Sequence, residues 1–400
     1  MLPAGEMFDP PELSMDSHRM TTATMNAPAT QTPIPLLDLK GQYAAIRDEI
    51  RAAIDAVCES QRFIGGPEVV ACEEAVAAYC ECKYGIGMTS GTDALLCAMM
   101  AMGIGPGDEV VVPTFTFFAT AGCVSRLGAT PVFVDVDPDT FNVTADAIER
   151  AITPKTKLII PVHLFGQCAD MDPILKLAKS KNIPVMEDAA QSIGSTYKGR
   201  QACSMGNLGT LSFFPSKNLG AFGDAGMVCT HDQALADRIR IFRDHGASPK
   251  YYHKWIGGNF RLDAIQAAVV RVKLQYLNGW SRKRAENACR YAGLFEGSVV
   301  KTPVITKDNS SIFNQYCIRV PRRDALRKHL DSQGVGSEVY YPVPLHLQEC
   351  FTYLGSKSGD CPNAEAAAKE ILAIPIYPEL TTAQQERVAA TILDFYKSGA

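Results

Sequence analysis

Several things are scarce in this chain of 400 residues, and each scarcity removes a class of function. An excess of one charge is missing: 39 Lys and Arg stand against 43 Asp and Glu, a formal net charge of -4. With a pI of about 6.0, the chain carries no basic footprint for nucleic acid or for an anionic membrane surface. Long apolar runs are missing too. The most apolar of the long uncharged stretches, residues 110–125, is broken by Pro113, Gly122 and several threonines. It reads as a strand followed by a helix, not as a membrane span. The amino terminus has no compact hydrophobic segment of the kind a secretory signal carries. The 13 cysteines are scattered from Cys58 to Cys361, and the one close pair, Cys80 and Cys82, has spacing unsuited to zinc or to a disulfide. Reduced, mostly buried thiols in a cytoplasmic protein are the expectation. Internal repeats are lacking, as are a P-loop and a G-x-G-x-x-G dinucleotide motif.

What is present is an ordinary globular composition, 46% hydrophobic and 20% charged, with length for one large and one small domain. Residues 1–35 hold five methionines, six prolines and a Thr/Ala run, and are expected to be a disordered leader, with Met25 a candidate start of translation. From residue 36 helical periodicity begins, and short apolar runs then alternate with helices: "DEVVVP", "TPVFVDVD", "TKLIIPVH", "IPVMEDAA", "LGTLSFF" and "AGMVCT". Strands apolar on both faces and interleaved with helices predict an α/β fold with a mainly parallel sheet covered on both sides. The last third reads as a smaller α+β unit. The expected division is 36–290 for the large domain and 291–400 for the small one.

Four features fall where α/β sheets collect ligands, beyond the carboxyl ends of strands. "TSGTDALL" leads small residues into a helix start, which suits either a phosphate or a plain capped helix. "VMEDAAQS" ends an apolar strand on Glu187 and Asp188, either a loop cap or an acid held ionised to pair with a protonated heterocycle nitrogen. "SFFPSKNLGAFGDAG" sets Lys217 beside an apolar strand and ahead of Gly220, Gly223 and Gly226. Such a lysine is a surface cation, or a desolvated nucleophile able to form a Schiff base. "VPTFTFFATA" clusters Phe115, Phe117 and Phe118, as core or as an aromatic platform. Phosphate cradle, aromatic plane, buried acid and activated lysine together are what pyridoxal phosphate requires.

On these blocks, and on "PLLDLKGQY", "HLFGQCADMDPI", "NFRLDAIQAA", "YYPVPLHLQ" and "LAIPIYPELT" in the same order, the sequence resembles the DegT/DnrJ/StrS family of nucleotide-sugar aminotransferases. The resemblance implies an aspartate-aminotransferase-like fold (fold type I), pyridoxal 5'-phosphate as cofactor and no metal. It implies that Lys217 binds the cofactor aldehyde and later shuttles a proton, with Asp188 on the ring nitrogen. Gln191 would sit near the ring hydroxyl and Phe117 would stack on the ring. Gly91, Thr92 and Ser212 would contact the phosphate, and Asn259 would do so from a neighbouring subunit of a homodimer with shared sites. Tyr341 and His346 of "YYPVPLH" become candidate substrate residues, and His163 either lines the site or is a packed histidine.

The expected reaction moves an amino group from an amino acid, by family habit glutamate, to a keto sugar of a nucleoside-diphosphate sugar. The wording of the blocks is closest to members acting at the third carbon, including those on uridine-linked N-acetylated keto-uronic acids, with a 4-keto substrate also open. Three rivals stand beside it. Sugar dehydration belongs to family members with histidine in place of the lysine. Amination of a non-sugar ring ketone uses the same fold. A non-catalytic regulatory or scaffold protein could dispense with Lys217, Asp188 and the phosphate residues.

Overall fold

The computed structural model describes residues 32–397 of the chain. The expected leader and Met25 therefore lie outside the described residues up to residue 31. Its last residues are not loose chain: Ile34 is buried and pairs in parallel with Val335, its N–H donating to the Gly334 carbonyl at 2.8 Å.

Seven strands build the sheet that carries the site. They are β1 (Tyr84–Met88), β2 (Glu109–Pro113), β3 (Thr130–Val134), β4 (Thr156–Ile159), β5 (Met186–Asp188), β6 (Leu208–Ser212) and β7 (Gly226–Thr230). One block runs β3-β2-β4 and is wholly parallel. The other runs β1-β7-β6-β5. Parallel bridges Ile159–Val185 and Val162–Asp188 join the blocks across β4 and β5. Only β7 is reversed, antiparallel to both neighbours. It follows β6 through a loop instead of a crossover helix, so it can return only in the opposite sense. That loop contains Lys217.

Helices cover both faces. In chain order they are α1 (Leu39–Ser60), α2 (Pro67–Tyr79), α3 (Gly91–Met102), α4 (Ala119–Arg126), α5 (Ala145–Ala151), α6 (Met171–Lys181) and α7 (Gln233–Arg243). Strand alternation divides the core into two layers. Val110, Val112, Leu158 and Met186 pack with Leu95, Met99, Val124 and Ile239 of α3, α4 and α7. Val111, Ile159, Val185 and Met227 point the other way, with Ile148 and Ile174 of α5 and α6. β1 is the strand that the periodicity does not announce. Its "YGIGM" carries glycines where a Cβ would lie 2.5 Å from the Glu73 carbonyl (Gly85) and 2.8 Å from the Leu262 side chain (Gly87). Close helix packing, not strand propensity, fixes the composition there.

Beyond the sheet lie α8 (Ala264–Leu274), α9 (Leu277–Leu294), the antiparallel pair β8 (Tyr316–Arg319) and β9 (Ile371–Ile374), and α10 (Arg323–Ser332), α11 (Pro362–Glu370) and α12 (Thr382–Lys397). Polar side chains of α9 hold this region. Buried Arg284 donates to the carbonyls of Phe313 at 3.1 Å and Ile376 at 2.8 Å, and Asn287 donates to Tyr377 at 2.8 Å. Burial brings the guanidinium down to about 10, against the pull of Glu379. Replacing Arg284 by Met leaves two buried carbonyls without their donor, a loss of roughly 2–4 kcal/mol by the usual cost of orphaned acceptors. Urea unfolding should show the midpoint lowered with an unchanged slope; an unmoved midpoint contradicts this role.

Candidate active site

The two acids at the end of β5 have separate roles because successive strand residues face opposite sides. Glu187 accepts N–H bonds from Cys203 at 3.0 Å, Met205 at 2.7 Å and Gly206 at 2.6 Å. Its Oε2 also lies 2.8 Å from His163 Nε2, and both side chains are fully buried. Every lone pair has a structural partner. Asp188 is poorly supplied by comparison. It accepts from the Thr120 hydroxyl at 2.8 Å and the Ala190 N–H at 3.2 Å, while almost wholly buried. Burial raises its proton affinity; Thr120, Ala190, Lys217 and His163 pull it back. A buried carboxyl with only neutral hydrogen-bond donors suits a cationic ring nitrogen as its missing partner.

Lys217 sits on the turn that follows β6. Its N–H donates to Phe214 O at 2.8 Å, Ala221 N–H closes back on Phe213 O at 2.7 Å, and the Asn218 side chain donates to Ile312 O at 2.9 Å. Gly220 is required here, because a Cβ would lie 2.4 Å from the Pro215 carbonyl. Lys217 is half-buried, and loss of hydration brings its ammonium down to about 8, with the Asp188 charge opposing. A neutral amine is therefore accessible near physiological pH.

Gly91, Thr92 and Ser212, named by the resemblance, lie together in the structure. The Ser90 side chain caps α3 by accepting from Asp93 N–H at 3.0 Å, leaving the first-turn N–H groups of Gly91 and Thr92 without intrahelical acceptors. A Cβ on Gly91 would come within 2.6 Å of Ser212 Cβ, so the helix start and the end of β6 touch. Three small or hydroxyl residues converge at the positive end of a twelve-residue helix, a donor set that fits a phosphate monoester.

An aromatic wall completes the arrangement. Phe115 is buried against Phe141, whereas Phe117 is 56% exposed and its ring lies 6.5 Å from that of Tyr341. The Tyr341 hydroxyl accepts from Gln191 Nε2 at 3.1 Å, and Gln191 Oε1 accepts from Phe165 N–H at 2.8 Å. Thr120, which the sequence reading missed, couples this wall to Asp188. The signal was the i, i+4 pair Thr116 and Thr120, whose hydroxyls lie 3.2 Å apart.

Of the two candidate histidines, the structure gives His163 its packed alternative and corrects His346. His163 is fully buried; its Nδ1 accepts from Ala169 N–H at 3.2 Å, so Nε2 carries the proton toward Glu187. It is a packed histidine, not a substrate contact. His346 is also buried. It receives the Thr114 hydroxyl on Nδ1 at 2.6 Å and faces Glu365 through Nε2 at 3.2 Å. The Ser358 hydroxyl, Gly359 N–H and His346 hold the Glu365 carboxyl down to about 2. His346 thus ties the "YYPVPLH" segment to the end of β2, while Tyr341 of that segment meets Gln191. Asn259 lies apart, exposed, on a stretch whose backbone bridges Asp244. Among the described residues no group of three His, Cys, Asp or Glu could hold a metal ion, and no helix is long and apolar enough to cross a membrane.

The sheet order, the reversed strand after the lysine turn and the donor set define a fold type I pyridoxal-phosphate enzyme. The chain belongs to the DegT/DnrJ/EryC1/StrS aminotransferase family, which it matches over residues 44–393. It is 49% identical over 367 residues to the "pleiotropic regulatory protein" of Geobacillus stearothermophilus, covering 91% of this chain and 99% of the relative. It is 44% identical to the UDP-N-acetyl-3-dehydro-alpha-D-glucosamine 3-aminotransferase of Acidithiobacillus ferrooxidans, covering 90% and 97%. The crystal structure of S. venezuelae DesV in complex with ketimine intermediate superposes with a TM-score of 0.89 at 41% identity, covering 91% of this chain and 99% of that one. The protein is a pyridoxal-phosphate-dependent aminotransferase.

The lowered ammonium of Lys217 sets a pH dependence. Below about 8 the amine is protonated and unreactive; above it the neutral form dominates. The rate at which cofactor-free protein captures pyridoxal phosphate, followed by absorbance, should rise with pH and level off above a midpoint near 8. A midpoint above 10, the range of an ordinary lysine, contradicts the burial argument.

Proposed function

We propose that the protein aminates a keto sugar carried on a nucleoside diphosphate, taking nitrogen from an amino acid, by family habit glutamate. The carrying observation is the convergence of Lys217, Asp188 and the Gly91–Ser212 contact at one end of the sheet. Bound pyridoxal phosphate supplies an aldehyde for the amine and a ring that draws off carbanion charge when its nitrogen is protonated. Gly91, Thr92 and Ser212 hold the phosphate. Asp188, steadied by Thr120, keeps a proton on the ring nitrogen. Gln191, bonded to Tyr341, would serve the ring hydroxyl, and exposed Phe117 would supply the aromatic surface for the ring. Lys217 Nζ would hold the aldehyde, and its lowered ammonium would let the same amine accept and return a proton at that position. Tyr341 is the one proposed substrate contact of the three first expected. Its position beside Gln191 and Phe117 supports that role.

A ketone at the third sugar carbon is the favoured acceptor. The name of the A. ferrooxidans relative supports it, with uridine diphosphate as a carrier. A homodimer with shared sites is part of the proposal. Exposed Phe222, Tyr251, Tyr252 and Ile256, the last 92% exposed, are apolar surface that a second copy would cover, bringing Asn259 to its phosphate. The division into a large domain to residue 290 and a small one from 291, and a cytoplasmic location suited to 13 free thiols, complete the reading. The regulatory name of the Geobacillus relative favours a second reading, a non-catalytic protein. Such a protein has no need of the intact lysine, acid and cradle.

Purified protein given the cofactor should be yellow and should bleach on addition of glutamate. With a panel of UDP- and dTDP-linked keto sugars, mass spectrometry should detect the aminated product for a 3-keto member. Replacement of Lys217 by Ala should lower turnover at least about 10³-fold, as for removal of a covalent catalyst. Wild-type turnover by that variant contradicts the mechanism, and absence of bleaching favours the regulatory reading.

A further inference from the structure

The chemistry above leaves a deeply buried lysine unused. Lys273 of α8 is 3% exposed, and among the described residues no other lysine is as fully covered. No carboxylate faces it. Its Nζ donates to the Gly220 carbonyl at 2.5 Å and stands 5.6 Å from the centre of the Phe222 ring. A cation confined this way is costly, since its desolvation is offset by one carbonyl and a ring face. That cost points to a task at the position.

The task is legible from what Lys273 touches. Gly220 closes the turn that holds Lys217. Seven residues earlier, two turns along the same helix face, Gln266 Oε1 accepts the N–H of Phe222 at 2.8 Å. Two side chains of one helix thus grip the far limb of the turn at the Gly220 carbonyl and the Phe222 N–H. The near limb is held by Lys217 N–H on Phe214 O and Ala221 N–H on Phe213 O. α8 is itself well anchored, with Ala267, Ala268, Val269 and Val270 buried, so the grip refers the turn to the core.

We propose that Lys273 and Gln266 are positioning residues that fix the 213–222 turn and thereby the location of Lys217 Nζ. The inference rests on Lys217 being the reacting amine. It concerns residues that touch neither cofactor nor substrate, and they act only through the turn.

The test compares K273M, K273R and Q266M in the full-length chain, by amide hydrogen exchange without cofactor and by steady-state kinetics with it. In K273M and Q266M, exchange in peptides covering 213–222 should quicken about tenfold while peptides from β2 stay unchanged. The kcat should fall about tenfold with KM for donor and acceptor within twofold, the pattern of lost positioning. K273R, which keeps a donor for Gly220, should restore both readouts in large part. If K273M fails to fold, Q266M decides. Unchanged exchange in either soluble variant, or faster exchange with wild-type kcat, overturns the proposal. Turnover surviving Lys217→Ala would instead overturn the reading beneath it and leave the exchange result standing.

Discussion

The structure depends on keeping two ionisable groups in a place where neither has enough water. Asp188 is driven toward its protonated form by burial, and Lys217 toward its neutral form. Each is pulled back by the other's charge, and no direct ion pair closes between them. A tight pair would have spent the lysine as a counter-ion. What keeps the two ready is the division of labour on β5, where Glu187 absorbs three N–H groups and a histidine on one face and Asp188 remains under-supplied on the other.

The rest of the fold serves this separation. A parallel sheet delivers β5 and β6 ends to the same edge, and the start of α3 arrives there because Gly91 can touch Ser212. The reversal of β7 follows from the tight lysine turn. Tyr341 arrives on a segment pinned through His346, Thr114 and Glu365. Remote residues therefore decide where the chemistry sits.

Much of this was legible in the sequence, and the exceptions have physical causes. Strands such as "DEVVVP" and "TKLIIPVH" announce themselves because both faces are apolar. β1 does not, since its glycines answer to helix packing. Phe115 and Phe117 are alike in sequence, and only the backbone turn decides that one is core and the other exposed beside Tyr341. His163 and His346 lie beside motif residues along the chain, yet their rings face inward to carboxylates far away in sequence, which no spacing reveals. Lys273 was invisible for a related reason. On a helix of ordinary amphipathic pattern, nothing local says that one lysine points at the Lys217 turn.

Burial holds Lys217 and Lys273 at the same value, about 8, so acidity alone cannot tell the reacting amine from the buried one. Location separates them, since only Lys217 lies within reach of the Asp188 charge. The most direct measurement is therefore peptide mapping of protein incubated with pyridoxal phosphate and reduced with borohydride. The account predicts one phosphopyridoxyl group per chain, on Lys217. A label on Lys273, or none on either lysine, would contradict it.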